Sequence, residues 1–358
     1  MPSNEHPFIE SASGKITDLR AAKLELANRY IHGRKAELAR RSGIQLSASA
    51  RAFSVAISPN PLQNVVGVGI GEKISEGKQT GTLAVKLFVR MKYPQGELNG
   101  NLALPKEING VPTDIEEAGT FRRFQTAAAR KLTGMPNPRT KMRPAHPGCS
   151  IGFQDPRNQF VMAGTFGAVV KDKSGTYILS NNHVLADENR LPTGAAIYQP
   201  GLLDGGNVAT DQVAALTRFI ALDPTKPNSV DCAIARVTQN NIVSNVVLHI
   251  GAPKGTAVAA IDMNVHKFGR TTGYTVGRVS SVDTDVTVGY ETGDYTFSSQ
   301  IIIVASSGQS FSDAGDSGSL ILQRGTNKAV ALLFAGSKSH TIANHVGDVL
   351  KALKVKLA

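Results

Sequence analysis

The 358-residue sequence has no tryptophan, only two cysteines and no apolar run of transmembrane length. Each absence removes a class of protein. Cys149 and Cys232 fall into no metal-ligand spacing, which argues against a zinc module. A pair is also too few for a disulfide framework. The start, Met1-Pro2-Ser3-Asn4-Glu5-His6, lacks a basic segment followed by an apolar core, so no secretory signal is expected. These features together predict a cytoplasmic protein with two free thiols and no membrane partner. No repeat of 20–50 residues occurs, which sets solenoids aside. Acids are missing altogether from 121–147, where Arg122, Arg123, Arg130, Lys131, Arg139, Lys141 and Arg143 stand among four prolines. Proline breaks helices, so this stretch reads as a basic linker, either a solvated tether or a strap across the next domain.

What is abundant points to β structure. The chain has 35 glycines and 41% apolar residues, with many β-branched runs. Its net charge of +11 supports solubility or attraction to anions. No aromatic-plus-basic motif accompanies the charge, so nucleic acid is not an expected partner. From Lys15 to Arg41, apolar residues recur at helical spacing, with Lys and Arg dominating the other face. This helix packs on its own domain, serves a homo-oligomer contact or meets an anionic surface. Strands are expected over 64–72, 82–92 and 111–115. The glycines at 67, 69 and 71 lack the rest of a nucleotide fingerprint. The domain reading is an α/β unit over 12–120, the linker over 121–147 and a β domain over 148–358.

In that last domain short strands alternate with turn residues: 160–170, 176–181, 195–199, 211–221, 230–237, 264–269, 274–283, 285–290, 297–304, 319–323 and 329–335. The spacing predicts a sandwich or barrel. A C-terminal helix begins near Asn344, read as its N-cap, with Val346, Val349, Leu350 and Leu353 on one face.

Three residues in this domain carry chemistry. Ala314-Gly315-Asp316-Ser317-Gly318-Ser319 places a serine in a glycine-flanked turn, where the N–H groups of Gly315 and Ser317 can converge on an oxyanion. A serine hydroxyl needs a base, and the base needs orienting. His183 stands at the exit of the apolar strand Tyr177-Ile178-Leu179. Asp231 sits in Val230-Asp231-Cys232-Ala233-Ile234, where a carboxylate is costly unless paired. The order His, Asp, Ser is one of those known for such triads.

With these flanks the chain resembles the trypsin-like, chymotrypsin-fold serine peptidases over about 148–357. Gly269-Arg270-Thr271-Thr272-Gly273 is similar to the matching stretch of α-lytic-type bacterial enzymes. Ser-Asn-Asn-His-Val and Gly-Asp-Ser-Gly-Ser-Leu-Ile resemble an intracellular subgroup that includes the plant narrow-leaf regulators, which also carry an extra N-terminal domain. The resemblance implies two packed antiparallel six-stranded barrels with the site between them, a protein or peptide substrate, and no metal or organic cofactor. It implies His183, Asp231 and Ser317 as the triad, and Gly315 and Ser317 as oxyanion donors. Phe311, Ser312, Phe334, Ala335 and Gly336 would line the substrate cleft, favouring an apolar residue before the cut. Two departures stand out. Ser319 replaces the second glycine after the nucleophile, and Phe334-Ala335-Gly336 replaces the Ser-Trp-Gly run that supports the aspartate. The competing readings are a quiet peptide-binding scaffold of the same fold and a basic nucleic-acid-binding regulator.

Overall fold

A computed structural model describes residues 13–33, 58–98, 100, 102–123, 134–157, 160–306 and 308–358. Helix α1 is Ser13–Ala27, continued by a wider turn over Asn28–His32. The remainder of the helix expected to Arg41, the tail before residue 13 and the middle of the basic linker lie outside the described residues. Leu19, Ala22, Leu26, Tyr30 and Ile31 of this segment are buried against Val68, Ile70, Val85 and Leu87. Its Lys23 is buried as well, on the face that packs, and pairs with Asp285 at 2.7 Å. Burial alone would raise the Asp285 carboxyl. His32, at 2.7 Å, and Lys23 outweigh it and hold the group below the usual carboxylate range.

A short helix α2 (Pro61–Asn64) leads into β1 (Val65–Ser75), β2 (Lys78–Val89), β3 (Glu107–Ile108), β4 (Val111–Glu117) and β5 (Arg122–Arg123). The second group is β6 (Ser150–Phe153), β7 (Gly164–Thr165), β8 (Ala168–Asp172), β9 (Gly175–Ser180), helix α3 (Asn182–Leu185), β10 (Ala196–Tyr198), β11 (Gln212–Phe219) and β12 (Ala233–Val237). The third is β13 (Asn264–Gly269), β14 (Gly273–Gly289), β15 (Asp294–Ala305), β16 (Leu320–Gln323), β17 (Ala329–Gly336) and β18 (His340–His345). Helix α4 (Val346–Leu353) and β19 (Lys356–Leu357) end the chain.

The mainly β architecture expected from the sequence is the one observed. The third group closes on itself in the order β13-β16-β17-β18-β15-β14, because β13 pairs with β14 as well as β16. The second group runs as an eight-stranded path, β19-β8-β9-β12-β11-β10-β6-β7. One core joins the two: Ile151, Phe166, Leu179 and Val184 pack with Phe268, Leu320, Leu322 and Leu332. β14 is a single 17-residue strand where the sequence suggested two, and its length lets β1 add to it. The N-terminal strands thereby extend the second barrel's sheet as β14-β1-β2-β4-β3. The alternating glycines of β1 serve this approach. A Cβ on Gly69 would stand 2.2 Å from Thr284 Oγ1, so only glycine fits.

Asn344 does not cap α4. The cap position is His345, without a side-chain bond, and Asn344 turns toward the first sheet. Cys149 and Cys232 are free and fully buried, and burial pushes the Cys149 thiol up to about 12. Alkylation under denaturing, non-reducing conditions should modify both, while the native protein should react slowly at each. Recovery of a quantitative bond between them, read by mass analysis, would refute this. Among the described residues no helix is long and apolar enough to cross a membrane, and no group of His, Cys, Asp and Glu is arranged to hold a metal ion.

Candidate active site

The apolar strand β9 ends at Ser180, and two asparagines fix the turn that follows. Asn181 Nδ2 donates to Asp231 O at 2.8 Å, and Asn182 Nδ2 donates to Ile220 O at 2.8 Å. This anchoring starts α3 with His183 in its first turn, facing the entry to β12. His183 Nδ1 lies 2.5 Å from Asp231 Oδ2, with both side chains fully buried. Asp231 Oδ1 accepts the backbone N–H of Asn182 at 2.7 Å and of His183 at 3.3 Å.

The support of Asp231, left open by the missing Ser-Trp-Gly run, comes from elsewhere. Tyr290, at the end of β14, donates its hydroxyl to Asp231 Oδ2 at 2.7 Å. Burial, and then the neighbouring carboxylate, push the Tyr290 phenol well above its ordinary value, so it stays a donor. Its ring meets His183 edge-on at 5.8 Å, and behind it stand Phe297 and then Phe334. Asn344 Oδ1 accepts the Asp231 N–H at 3.0 Å and its amide donates to Gln300 Oε1 at 2.6 Å. Both residues come from the second barrel, so the histidine–aspartate pair of the first sheet is held across the junction. Sequence reasoning missed both. Tyr290 follows an alternating strand with nothing to mark it, and Asn344 stands where the sequence predicts a helix cap.

Ser317 reaches the same junction from the loop between β15 and β16. Thr165 N donates to Ser317 O at 2.8 Å, and a Cβ built on Gly164 would touch both Val184 and that carbonyl. The Ser317 hydroxyl donates to Phe334 O at 3.3 Å, while His183 Nε2 is buried with no hydrogen-bond partner. Ser317 Oγ and His183 Nε2 are thus not hydrogen-bonded to one another.

The turn itself is tightly determined. Gly315 has φ +92°, and a Cβ there would stand 2.5 Å from Thr271 Oγ1 and 2.6 Å from Arg270 Nη1. The Ala314 carbonyl points inward, accepting from Thr271 Oγ1 at 2.6 Å. The Gly315 N–H, on the same trans peptide, points the opposite way from that carbonyl. Neither it nor the Ser317 N–H has a partner among the described residues. Asp316 is fully buried and saturated: Thr271 N, Thr272 N, Thr272 Oγ1 and Asp313 N all donate to it, and Lys267 Nζ lies at 3.3 Å. The Gly-Arg-Thr-Thr-Gly stretch therefore serves as the internal clamp of the serine loop.

The expected cleft residues fall in different places. Ala335 and Gly336 are buried on β17 beside the serine, paired with β5. Ser312 is bonded to Thr341 Oγ1 at 2.5 Å. The rings of Phe311 and Phe334 are not brought together. Phe311 packs inside the closed barrel with Val265, Val279, Ile303 and Ile321, and Phe334 packs with Phe297 and Tyr290.

Residues 164–339 match the model of peptidase family S64, a span that contains His183, Asp231 and Ser317. No curated protein matches the chain. Solved structures similar to it include Protease A of Thermobifida fusca, at 18% identity and a TM-score of 0.42 over 59% of this chain and 97% of that one. The Nocardiopsis protease NAPase has 18% identity and a TM-score of 0.43 over 59% and 97%. Alpha-lytic protease homolog N4 has 20% identity and a TM-score of 0.41 over 61% and 100%. The peptidase-family match spans the segments that build the site: the chain is a serine-type peptidase, a fold that implies protein or peptide substrates.

Proposed function

We propose that the chain is an endopeptidase working through a Ser317–His183–Asp231 triad and an acyl-enzyme. The observation that carries this reading is the buried His183–Asp231 pair, whose free Nε2 shares the junction with a glycine-flanked serine. A turn about the Ser317 side chain exchanges its long bond to Phe334 O for one to His183 Nε2. Ser317 Oγ then bonds to the substrate carbonyl carbon as His183 takes the hydroxyl proton. Negative charge grows on the carbonyl oxygen, where the Gly315 and Ser317 N–H groups receive it. His183 gives its proton to the leaving amine as the C–N bond breaks, and water repeats the sequence to release the acid. Asp231, with Asn182, Tyr290 and Asn344 around it, holds the imidazole tautomer and stabilises its charged form.

Incubation with a fluorophosphonate probe, followed by peptide mapping, tests the assignment. The label should be on Ser317, and a label elsewhere or none would end it. Tyr290→Phe removes one hydrogen bond to a charged carboxylate, worth about 1.5–3 kcal/mol. We expect kcat to fall about tenfold to a hundredfold with little change in KM, because the hydroxyl touches Asp231 rather than substrate. An unchanged kcat would remove Tyr290 from the positioning role. The nucleic-acid reading is weakened by the described part of the basic segment. Lys141 pairs with Asp211, Arg139 donates to Arg270 O and Arg143 holds Gln199, so these cations are engaged within the chain.

A further inference from the structure

β17 pairs with β16 only as far as Leu332, and at Ala335 and Gly336 the vacated edge is taken by β5. The pairing is antiparallel, with Arg123 opposite Ala335 and Arg122 opposite Gly336. β5 therefore runs in its N-to-C direction toward Phe334, whose carbonyl accepts from the Ser317 hydroxyl. A peptide added antiparallel to this edge, as β5 is, with a carbonyl carbon at Ser317 Oγ, runs the same way. Its residue before the cut is level with Phe334, and the preceding residue is level with Ala335. Arg123 occupies that second position.

The side chain of Arg123 is buried between two acids. Its Nε lies 2.5 Å from Glu188 Oε1, and its Nη2 meets Glu291 Oε1. The Glu188 carboxylate is wholly buried and already accepts from Glu291 N, Thr292 N and Thr292 Oγ1. Arg190 is engaged beside it by Asp187 at 2.6 Å and by the other oxygen of Glu291 at 3.1 Å. Arg123 is the cation within ion-pair distance of Glu188 among the described residues. Both acids are tied to the triad by the chain: Glu188 follows the helix that carries His183, and Glu291 follows Tyr290.

We infer that Glu188 and Glu291 form a subsite for an arginine or lysine side chain on the second residue before the cut. Arg123 fills it in the folded chain, with β5 standing where a substrate strand would lie. This rests on Ser317 being the nucleophile. A competing peptide that displaces β5 without supplying a cation leaves Glu188 buried and unpaired, which is strongly unfavourable. A peptide that supplies one restores the pair. Arginine suits the site better than lysine, because its planar fork can reach both carboxylates at once.

The test uses the full chain and three peptides that differ only at the second residue before the cut: Arg, Lys or Gln. Cut sites are mapped by mass spectrometry, and fluorophosphonate labelling is followed in parallel. We expect kcat/KM for the Arg peptide to exceed that for the Gln peptide at least tenfold. Glu188→Gln should bring the ratio to within about threefold of one. Glu291→Gln, at a half-exposed position, should lower it and serves if the buried variant folds poorly. Arg123→Ala should speed labelling at least fivefold by loosening β5. Equal kcat/KM for the Arg and Gln peptides, with Ser317 labelled, would overturn the subsite and leave the nucleophile standing. Unchanged labelling in Arg123→Ala would overturn the occupancy of the cleft by β5. Absence of labelling and turnover in both the parent and Arg123→Ala would take down the nucleophile, and the subsite with it.

Discussion

Ser317→Ala should abolish fluorophosphonate labelling and lower peptide turnover on the order of 10⁴-fold or more, while the protein stays folded. The size of the loss follows from triad members acting as a unit: without the hydroxyl, the His183–Asp231 pair has no nucleophile to activate. The preserved fold follows from the contacts. The hydroxyl makes one hydrogen bond, at 3.3 Å to Phe334 O, so its removal should change stability by no more than about 1 kcal/mol. The main-chain anchors of the loop, Ser317 O to Thr165 N and Gly318 N to Leu333 O, are untouched. His183→Ala is a poorer test, because it also strips a buried partner from Asp231 and mixes stability with chemistry. Peptidase activity in purified Ser317→Ala equal to that of the parent would defeat the nucleophile assignment.

The strands and the chemistry-bearing residues were legible because each rests on a local pattern. β9, β13 and β17 alternate or run apolar between turn residues, and their observed bounds fall within one residue of the expected ones, while β2 starts and ends earlier than expected. His183, Asp231 and Ser317 could be singled out because a histidine at a strand exit, an acid in an apolar run and a serine between glycines are each unusual. What was illegible depends on contacts distant in sequence. Tyr290 and Asn344 support Asp231 across 59 and 113 residues, and no local signal announces either bond. The joining of β1 to β14 was equally hidden: the glycines of β1 were visible, but the strand they approach lies about two hundred residues on. β5, two arginines in a basic stretch, carries no strand pattern of its own and forms because β17 and β14 both offer it a partner. The two phenylalanines chosen as cleft walls show the limit of the resemblance. It located the backbone of β17 beside the serine, but ring direction depends on packing within each cluster.

Lys267→Met should destabilise the protein by about 3–5 kcal/mol and remove activity with it, because it breaks a buried ion pair from one side only. Lys267 and Asp316 are both wholly buried, with Lys267 Nζ 3.3 Å from Asp316 Oδ2 and 2.6 Å from Thr272 Oγ1. The ammonium also lies 5.6 Å from the centroid of the Phe311 ring, a favourable placement over an aromatic face. Methionine matches the lysine stem in length, so the change removes charge and hydrogen bonds with little change in packing. Asp316 would keep its four donors from Thr271, Thr272 and Asp313, but its ion-pair partner inside the barrel would be gone. Its neighbours Gly315 and Ser317 carry the N–H groups proposed to receive the oxyanion, so any relaxation of the carboxylate toward water would move those donors. The double variant Lys267→Met/Asp316→Asn separates the two effects. An amide removes the unpaired charge, so the double variant should be more stable than Lys267→Met alone, the difference measuring the coupling of the pair. Its activity should remain low, because an amide can accept through one oxygen only, and Asp316 accepts through both. Denaturant unfolding of the three proteins decides the matter. A single variant within about 1 kcal/mol of the parent would show that the donors from Thr271, Thr272 and Asp313 suffice to hold Asp316, and that the serine loop does not depend on Lys267.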